Sequence, residues 1–262
     1  MTWYTFVKLK IWLTIITILA VSACSPSAPD KESVAKLVND IAQEFVEAYY
    51  AQYPEEIYEV GYPEPSPDHF GDHSEQSLAA WNARVDAWIV ALDEIDMAQL
   101  AGQPEAVTFA FARERLQALA DLRVCRNERW KISPTWTGWQ YMFGSTLAIQ
   151  AIETDQDRQA ALRRLADIPR YLDTEIQNLR RGQASGHIAA KSNVAAVLGK
   201  TRFLIDMPAE ESPFFSPATR SGDEGFISAY RDIYESQLLP AMVEYRDFLV
   251  NEYQGRDTIG VG

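Results

Sequence analysis

Cysteine and histidine are scarce in this chain: two of the former, Cys24 and Cys125, and three of the latter, His69, His73 and His187, among 262 residues. At most one intramolecular disulfide is available, so stability has to come from packing. No His-Glu-x-x-His segment, Gly-rich phosphate loop or Gly-x-Ser-x-Gly elbow occurs, and no local motif therefore names a chemistry. Basic residues are few as well, 24 Lys and Arg against 37 Asp and Glu for a net charge of -13, which argues against nucleic acid as a partner. The acidic residues are spread along the chain, as on a solvated surface, and not gathered as in a cation trap. Strand-like alternation is missing too, apart from short pieces in 57–62 and near Ile259. What remains is an all-α pattern with no repeat of fixed period.

The N-terminus carries the strongest local signal. Lys8 and Lys10 precede an apolar run over residues 11–20, and Val21-Ser22-Ala23 leads into Cys24. The run is too short to span a bilayer as a mature helix. Charge, apolar run and small residues follow the order of a secretory signal, and the cysteine after Val-Ser-Ala resembles a bacterial lipobox. The reading is a signal peptide over residues 1–23, lipid attachment at Cys24, and a Ser/Pro tether over 24–30 that lifts a helical domain of 31–262 off the membrane. The partner at this end is the membrane itself. Ser25 after the cysteine, where Asp would retain the protein at the inner membrane, points to the periplasmic face of the outer membrane. Loss of residues 1–23 removes two lysines and no acid, so the mature chain is more acidic still. With Cys24 acylated, Cys125 is left as a lone thiol with no His base nearby in sequence, and is read as a small core residue.

Apolar spacing predicts about seven long helices. Val34, Leu37, Val38, Ile41, Phe45 and Tyr49 form the first stripe after a cap at Asp30. Leu78, Trp81, Val85, Trp88, Leu92 and Ile95 form the second after a cap at Ser74. Pro104 opens a third helix through Phe109, Leu116 and Leu119 to about Arg129. Thr135 to about Ile152 reads as a fourth, with Trp136, Trp139, Phe143 and Leu147 inward. Asp155 caps a fifth, in which Leu162, Leu165, Pro169, Leu172, Ile176 and Leu179 keep one phase across the proline. That favours a single kinked helix stopping near Gly182 or Gly186. Ser192 caps a sixth, and a last helix runs from about Glu224 to Tyr253 with a bend at Pro240. Residues 54–73, rich in proline and glycine, read as an irregular surface loop, and 212–217 as an extended aromatic one.

Residues 125–140, with Trp130, Trp136 and Trp139, hold three of the five tryptophans outside the signal segment. This is the predicted centre of the fold, with core packing as the first role of the tryptophans. Trp136, Trp139, Phe214 and Phe215 are the candidates for a binding surface; the tyrosines and acids of the last helix fit the lining of a groove, but helical spacing explains them equally well. Asp68, His69, Asp72 and His73 are the one local group resembling a metal site. Gly71 and the preceding prolines oppose the helix that would set His69 and His73 on one face, so the group is read as a polar loop. No catalytic residue and no metal ligand is assigned.

The run over 125–140, the block Leu165-Ala-Asp-Ile-Pro-Arg-Tyr-Leu-Asp-Thr-Glu-Ile-Gln-Asn-Leu-Arg-Arg-Gly182, then Ser212-Pro-Phe-Phe and Leu239-Pro-Ala-Met-Val-Glu-Tyr-Arg-Asp-Phe-Leu249 resemble the bacterial "domain of unknown function 885" proteins, many of which are lipoproteins. The resemblance runs from about Tyr58 to Gly262. It implies similarity to helical zinc metallopeptidases, in which a C-terminal His-Glu-x-x-Pro-Gly-His segment and a downstream Glu hold zinc and the motif Glu is general base. None of those positions occurs here. Ala190-Lys191 also departs from the family, which usually has a proline after Gly-x-x-Ala. The resemblance thus implies an N-terminal helical half that walls a substrate cleft and is non-catalytic alone. Zinc belongs to the absent C-terminal half, and a peptide or that half is the expected partner. The competing expectation is a self-sufficient helical lipoprotein that binds a peptide, glycan or envelope component.

Overall fold

The computed structural model describes residues 31–57, 67–253 and 255. The signal segment, the Cys24 tether, the Asp30 cap, the piece near Ile259 and all of the strand-like piece 57–62 except Ile57, which is helical, lie outside them. Among the described residues there are eight helices of seven or more residues and no strand, so the all-α expectation holds. Helices α1 (Lys31–Gln52), α2 (Glu75–Asp93) and α3 (Glu105–Leu122) form one group. The second comprises α4 (Trp139–Ala148), α5 (Asp155–Ala184), α6 (Lys191–Asp206), the short α7 (Ser216–Arg220), α8 (Glu224–Ile233) and α9 (Leu239–Asn251). No described helix is long and apolar enough to cross a membrane.

Each group has its own hydrophobic core. In the first, Val34, Val38, Ile41 and Phe45 of α1 meet Trp81, Val85, Trp88 and Leu92 of α2 and Phe109 and Leu116 of α3. Phe45 lies 5.8 Å from Trp88, edge to face, and 6.4 Å from Trp81. These are the positions the three- and four-residue spacing selects, because it puts them on one side of each helix. Ser74 caps α2 as predicted, accepting from the Ser77 amide at 3.2 Å.

The second core is larger and is built around α5, which packs on α8 and α9. Pro169 lies inside α5 without ending it, as the unbroken apolar phase implied. Its start is a capping box in which Thr154, one residue before the predicted cap, accepts from the Asp157 amide while the Asp157 carboxylate accepts from the Thr154 amide. Its end is a Schellman turn: His187 N donates to Gly182 O at 2.9 Å and Gly186 N to Gln183 O at 3.2 Å, with Gly186 at φ +81°. A left-handed residue there suits glycine, which has no Cβ to clash. The last helix also runs on through its proline. A π turn over Tyr234–Leu238 precedes Pro240 and joins α8 to α9. Widening at that point is a recognised way to keep a helix going where a proline withholds its N–H.

Several expectations are corrected. The third helix ends at Leu122, not near Arg129, and two tight turns follow, Arg123–Cys125 and Asn127–Arg129, joined by Arg126 at φ 46°. Cys125 is exposed, not a core residue. The fourth helix starts at Trp139, because Ser133, Thr135 and Thr137 bond one another through their hydroxyls at 2.9–3.3 Å and hold the chain in a turn. Trp136 therefore stands 79% exposed while Trp139 is 3% exposed, and Trp130 is half-buried. The sixth helix begins at Lys191 after Ala190, with no side-chain cap from Ser192. Residues 212–217 are not extended: Pro213–Phe215 is a 3-10 turn leading into α7, and Phe214 and Phe215 are buried in the second core.

The largest correction concerns residues 67–73, predicted as a surface loop. Phe70 is 0% exposed and stacks 4.4 Å from Phe143. Helix α5 holds the backbone around it. Asp167 accepts from the Phe70 amide at 2.8 Å, Arg170 donates to the Phe70 carbonyl at 2.8 Å, and Asn178 donates to the His73 carbonyl at 2.8 Å. Glu55, just after α1, accepts from Gly71 N at 3.1 Å. The loop is thus a strap joining the two cores.

Candidate functional site

Between the two cores lies a cavity of about 530 Å³, a size suited to a small organic ligand. It is built mainly from one line of α5. Tyr171, Glu175, Asn178 and Gly182 recur at steps of four, three and four beside the buried stripe Leu172, Ile176 and Leu179, so they face the seam and not the core centre. Tyr171, Glu175 and Asn178 line the cavity. Tyr245 of α9 completes this wall and donates to Glu175 Oε1 at 2.8 Å. Opposite stand Leu78, Trp81 and Asn82 of α2. Trp139 and Gln140 at the start of α4 and the turn residues Arg126, Arg129 and Lys131 close it.

The turn residues reach the cavity because α5 lets them in. At Gly182 a β-carbon would fall on the carbonyl of Arg129, and close to that of His187. Only glycine allows the Asn127–Arg129 turn to lie against the helix there.

A ladder of rings crosses the junction. Trp81 and Tyr53 belong to the first core side, Tyr171 and Phe143 to the second, and His73 sits between them. Its ring centre is 6.0 Å from Tyr53 and 5.5 Å from Tyr171. Burial lowers the His73 pKa to about 4, outweighing the favourable charge of Asp72. At neutral pH it is an uncharged ring. Burial has the opposite effect on Glu175, raising its pKa to about 7 against the opposing pull of the Tyr245 hydrogen bond and of Lys131. The Tyr171 and Tyr245 hydroxyls are pushed up by burial and stay protonated. Chemically, the floor offers a carboxyl that titrates near neutrality, tyrosines, a neutral histidine and aromatic faces.

These shifts have a testable consequence. A carboxyl raised from 4.5 to about 7 takes up a proton on folding between those values, so the stability it provides is full below 4.5 and is lost as pH rises through 7. His73 acts in the opposite sense, its contribution being present above 6.5 and lost as pH falls through about 4. The reading is therefore the difference between the natural chain and Glu175→Gln. Between pH 5 and pH 8 the natural chain should lose on the order of 2–3 kcal/mol relative to the variant, measured by urea denaturation at each pH. Parallel pH profiles would place Glu175 in a wet, unperturbed site.

Of the residues singled out from sequence, Trp139 lines the cavity, Trp136 stands exposed outside its lining, and Phe214 and Phe215 serve packing. Phe214 also accepts at its carbonyl from Tyr230 OH at 2.9 Å. His69 and His73 are not brought together as ligands: His69 Nδ1 lies 2.9 Å from Asp68 and His73 is held among rings. No group of three or more His, Cys, Asp or Glu among the described residues is placed to hold a metal. Of the tyrosines and acids of the last helix, Tyr245 lines the cavity and the others are not among its lining residues. Glu175, Tyr171, Gln140 and Lys131 were missed. The signal for the first two was the second seam of α5, a tyrosine and a carboxyl four residues apart along the edge of an apolar stripe.

A family model with the description "Bacterial protein of unknown function (DUF885)" matches residues 54–260, which include every cavity residue except Tyr53. No curated protein matches the chain.

Proposed function

Since the chain belongs to this bacterial family of unknown function, DUF885, we propose that it is the helical, cleft-forming part of a peptidase-like lipoprotein of the cell envelope, which receives a peptide between its two cores and is non-catalytic alone. The observation that carries this reading is the cavity itself, with hydrogen-bonding groups on an aromatic floor where two separately packed cores meet. Ligand sites favour such junctions. The non-catalytic part rests on the donor set. Metal-assisted hydrolysis needs three converging protein ligands, whereas His187 bonds Ser185 Oγ at 3.1 Å and His69 and His73 are placed apart as described. Titration with a mixture of short peptides, followed by the fluorescence of Trp81 and Trp139, should show saturable quenching. A flat titration would remove the peptide reading.

Because walls from both cores already enclose the cavity, a self-sufficient lipoprotein that binds a peptide, glycan or envelope partner is the second reading. A glycan bound in preference to peptides would select it.

The envelope location rests on the order of Lys8, Lys10, the apolar run and Cys24. Cys24→Ala is expected to move the protein from the membrane to the soluble fraction of cells. Retention in the membrane with residues 1–23 still attached would make the run an uncleaved anchor instead.

A further inference from the structure

We infer that the cavity takes a carboxylate-bearing ligand, its anionic end held at the mouth by Arg126 and Lys131 and a hydrogen-donating group of its body received by Glu175. This rests on the cleft reading above and adds the chemical class. In a protein of net charge -13, the cavity lining carries Arg123, Arg126, Arg129, Lys131 and Arg181 against Glu75, Glu128 and Glu175. A basic mouth on an acidic molecule draws and orients anions.

The cations are not equivalent. Arg123 is paired with Asp86 at 2.7 Å, and Arg129 and Arg181 share Glu75 at 3.4 and 3.8 Å. Arg126 and Lys131 have no carboxylate within 4.0 Å among the described residues. Lys131 lines the same cavity as Glu175 and His73. Arg126 is held at φ 46°, the one described non-glycine residue in the left-handed region. Such a conformation is strained for a residue with a Cβ and tends to persist where function requires it.

The floor supplies an acceptor: Glu175 is bonded to Tyr245 through Oε1, which leaves its other oxygen for a ligand. Cations at the mouth, an acceptor on the floor and the faces of Trp81, Trp139 and Tyr171 together match a short organic acid with an apolar body. The terminal carboxylate of a peptide and a sugar acid both have this chemistry.

The test is calorimetric titration of the full chain with a set of acetylated dipeptides as free acids, the same set as C-terminal amides, and a glucuronic-acid disaccharide. The free acids should bind about ten-fold more tightly than the amides, as expected for two charge-assisted contacts at a partly solvated mouth. Arg126→Ser with Lys131→Ser should remove that preference and leave the melting temperature in place, since both side chains are exposed. Equal binding of acids and amides would overturn the carboxylate inference and leave the peptide cleft standing. Binding of the sugar acid alone would keep the carboxylate clamp and overturn the peptide reading. If none of the three binds, both fall.

Discussion

Arg164→Ala is expected to cost about 3–5 kcal/mol, the range seen when a buried charged partner is removed from its network. Arg164 is 0% exposed, the largest fully buried side chain in the molecule's described part. Its guanidinium donates to Gln150 Oε1 at 2.7 Å, to the His69 carbonyl at 3.2 Å and to the Pro54 carbonyl at 3.4 Å, and lies over the Phe70 ring at 5.2 Å. Alanine would leave these acceptors buried and underbonded and would open a hole beside Phe70. For a chain of this size the loss corresponds to roughly 6–15 °C in melting temperature. The 67–73 strap would loosen with it, and His73 with the strap, so ligand binding in the cavity should weaken as well. Arg164→Lys keeps the charge but not the planar fork, and should fall between the two. An alanine variant within about 1 kcal/mol of the natural chain would mean that Asp167, Arg170 and Asn178 suffice to hold the strap.

The second large effect is expected at Gly182. Gly182→Ala puts a methyl group where the Arg129 carbonyl lies, and since a backbone carbonyl cannot rotate aside, the turn must leave the helix or the helix must distort. Overpacking of this kind costs about 1–3 kcal/mol, at times more, and we expect the upper end. The displaced segment carries Arg126, Arg129 and Lys131, so the mouth of the cavity should change with it. Hydrogen exchange should then rise in the amides of 123–131 and remain unchanged in α1. Gly199, inside α6, is the control, because a β-carbon added there would meet nothing within 4 Å. Gly199→Ala should be neutral or stabilising by up to about 1 kcal/mol. Equal behaviour of the two variants would show that the turn does not depend on the close approach at Gly182.

The sequence by itself determined the helices and their inward faces. Spacing of three and four placed Val38, Ile41 and Phe45 of α1 and Trp81, Val85, Trp88 and Leu92 of α2 toward a core, because that period is a property of the helix alone. The phase carried through Pro169 gave one α5 with an end near Gly182 or Gly186, and the structure closes it at Gly186, where a left-handed residue is needed. Tertiary structure decided what lies between helices. Trp136 and Trp139 are three residues apart and have opposite fates, because a hydroxyl-bonded turn delays the helix to Trp139. Phe70 sits in a proline-rich stretch with no helical period, and is buried because Asp167 and Arg170, about a hundred residues later, bind its backbone. Glu175 shows the same division. Its place on the edge of a stripe was readable, but its raised pKa comes from burial, and the walls that bury it, Tyr245 among them, reach it only when α9 and the two cores close around the seam. Local periodicity records which way a residue faces along its own helix, whereas burial, partners and charge depend on segments far away in the chain, and the site is made of those.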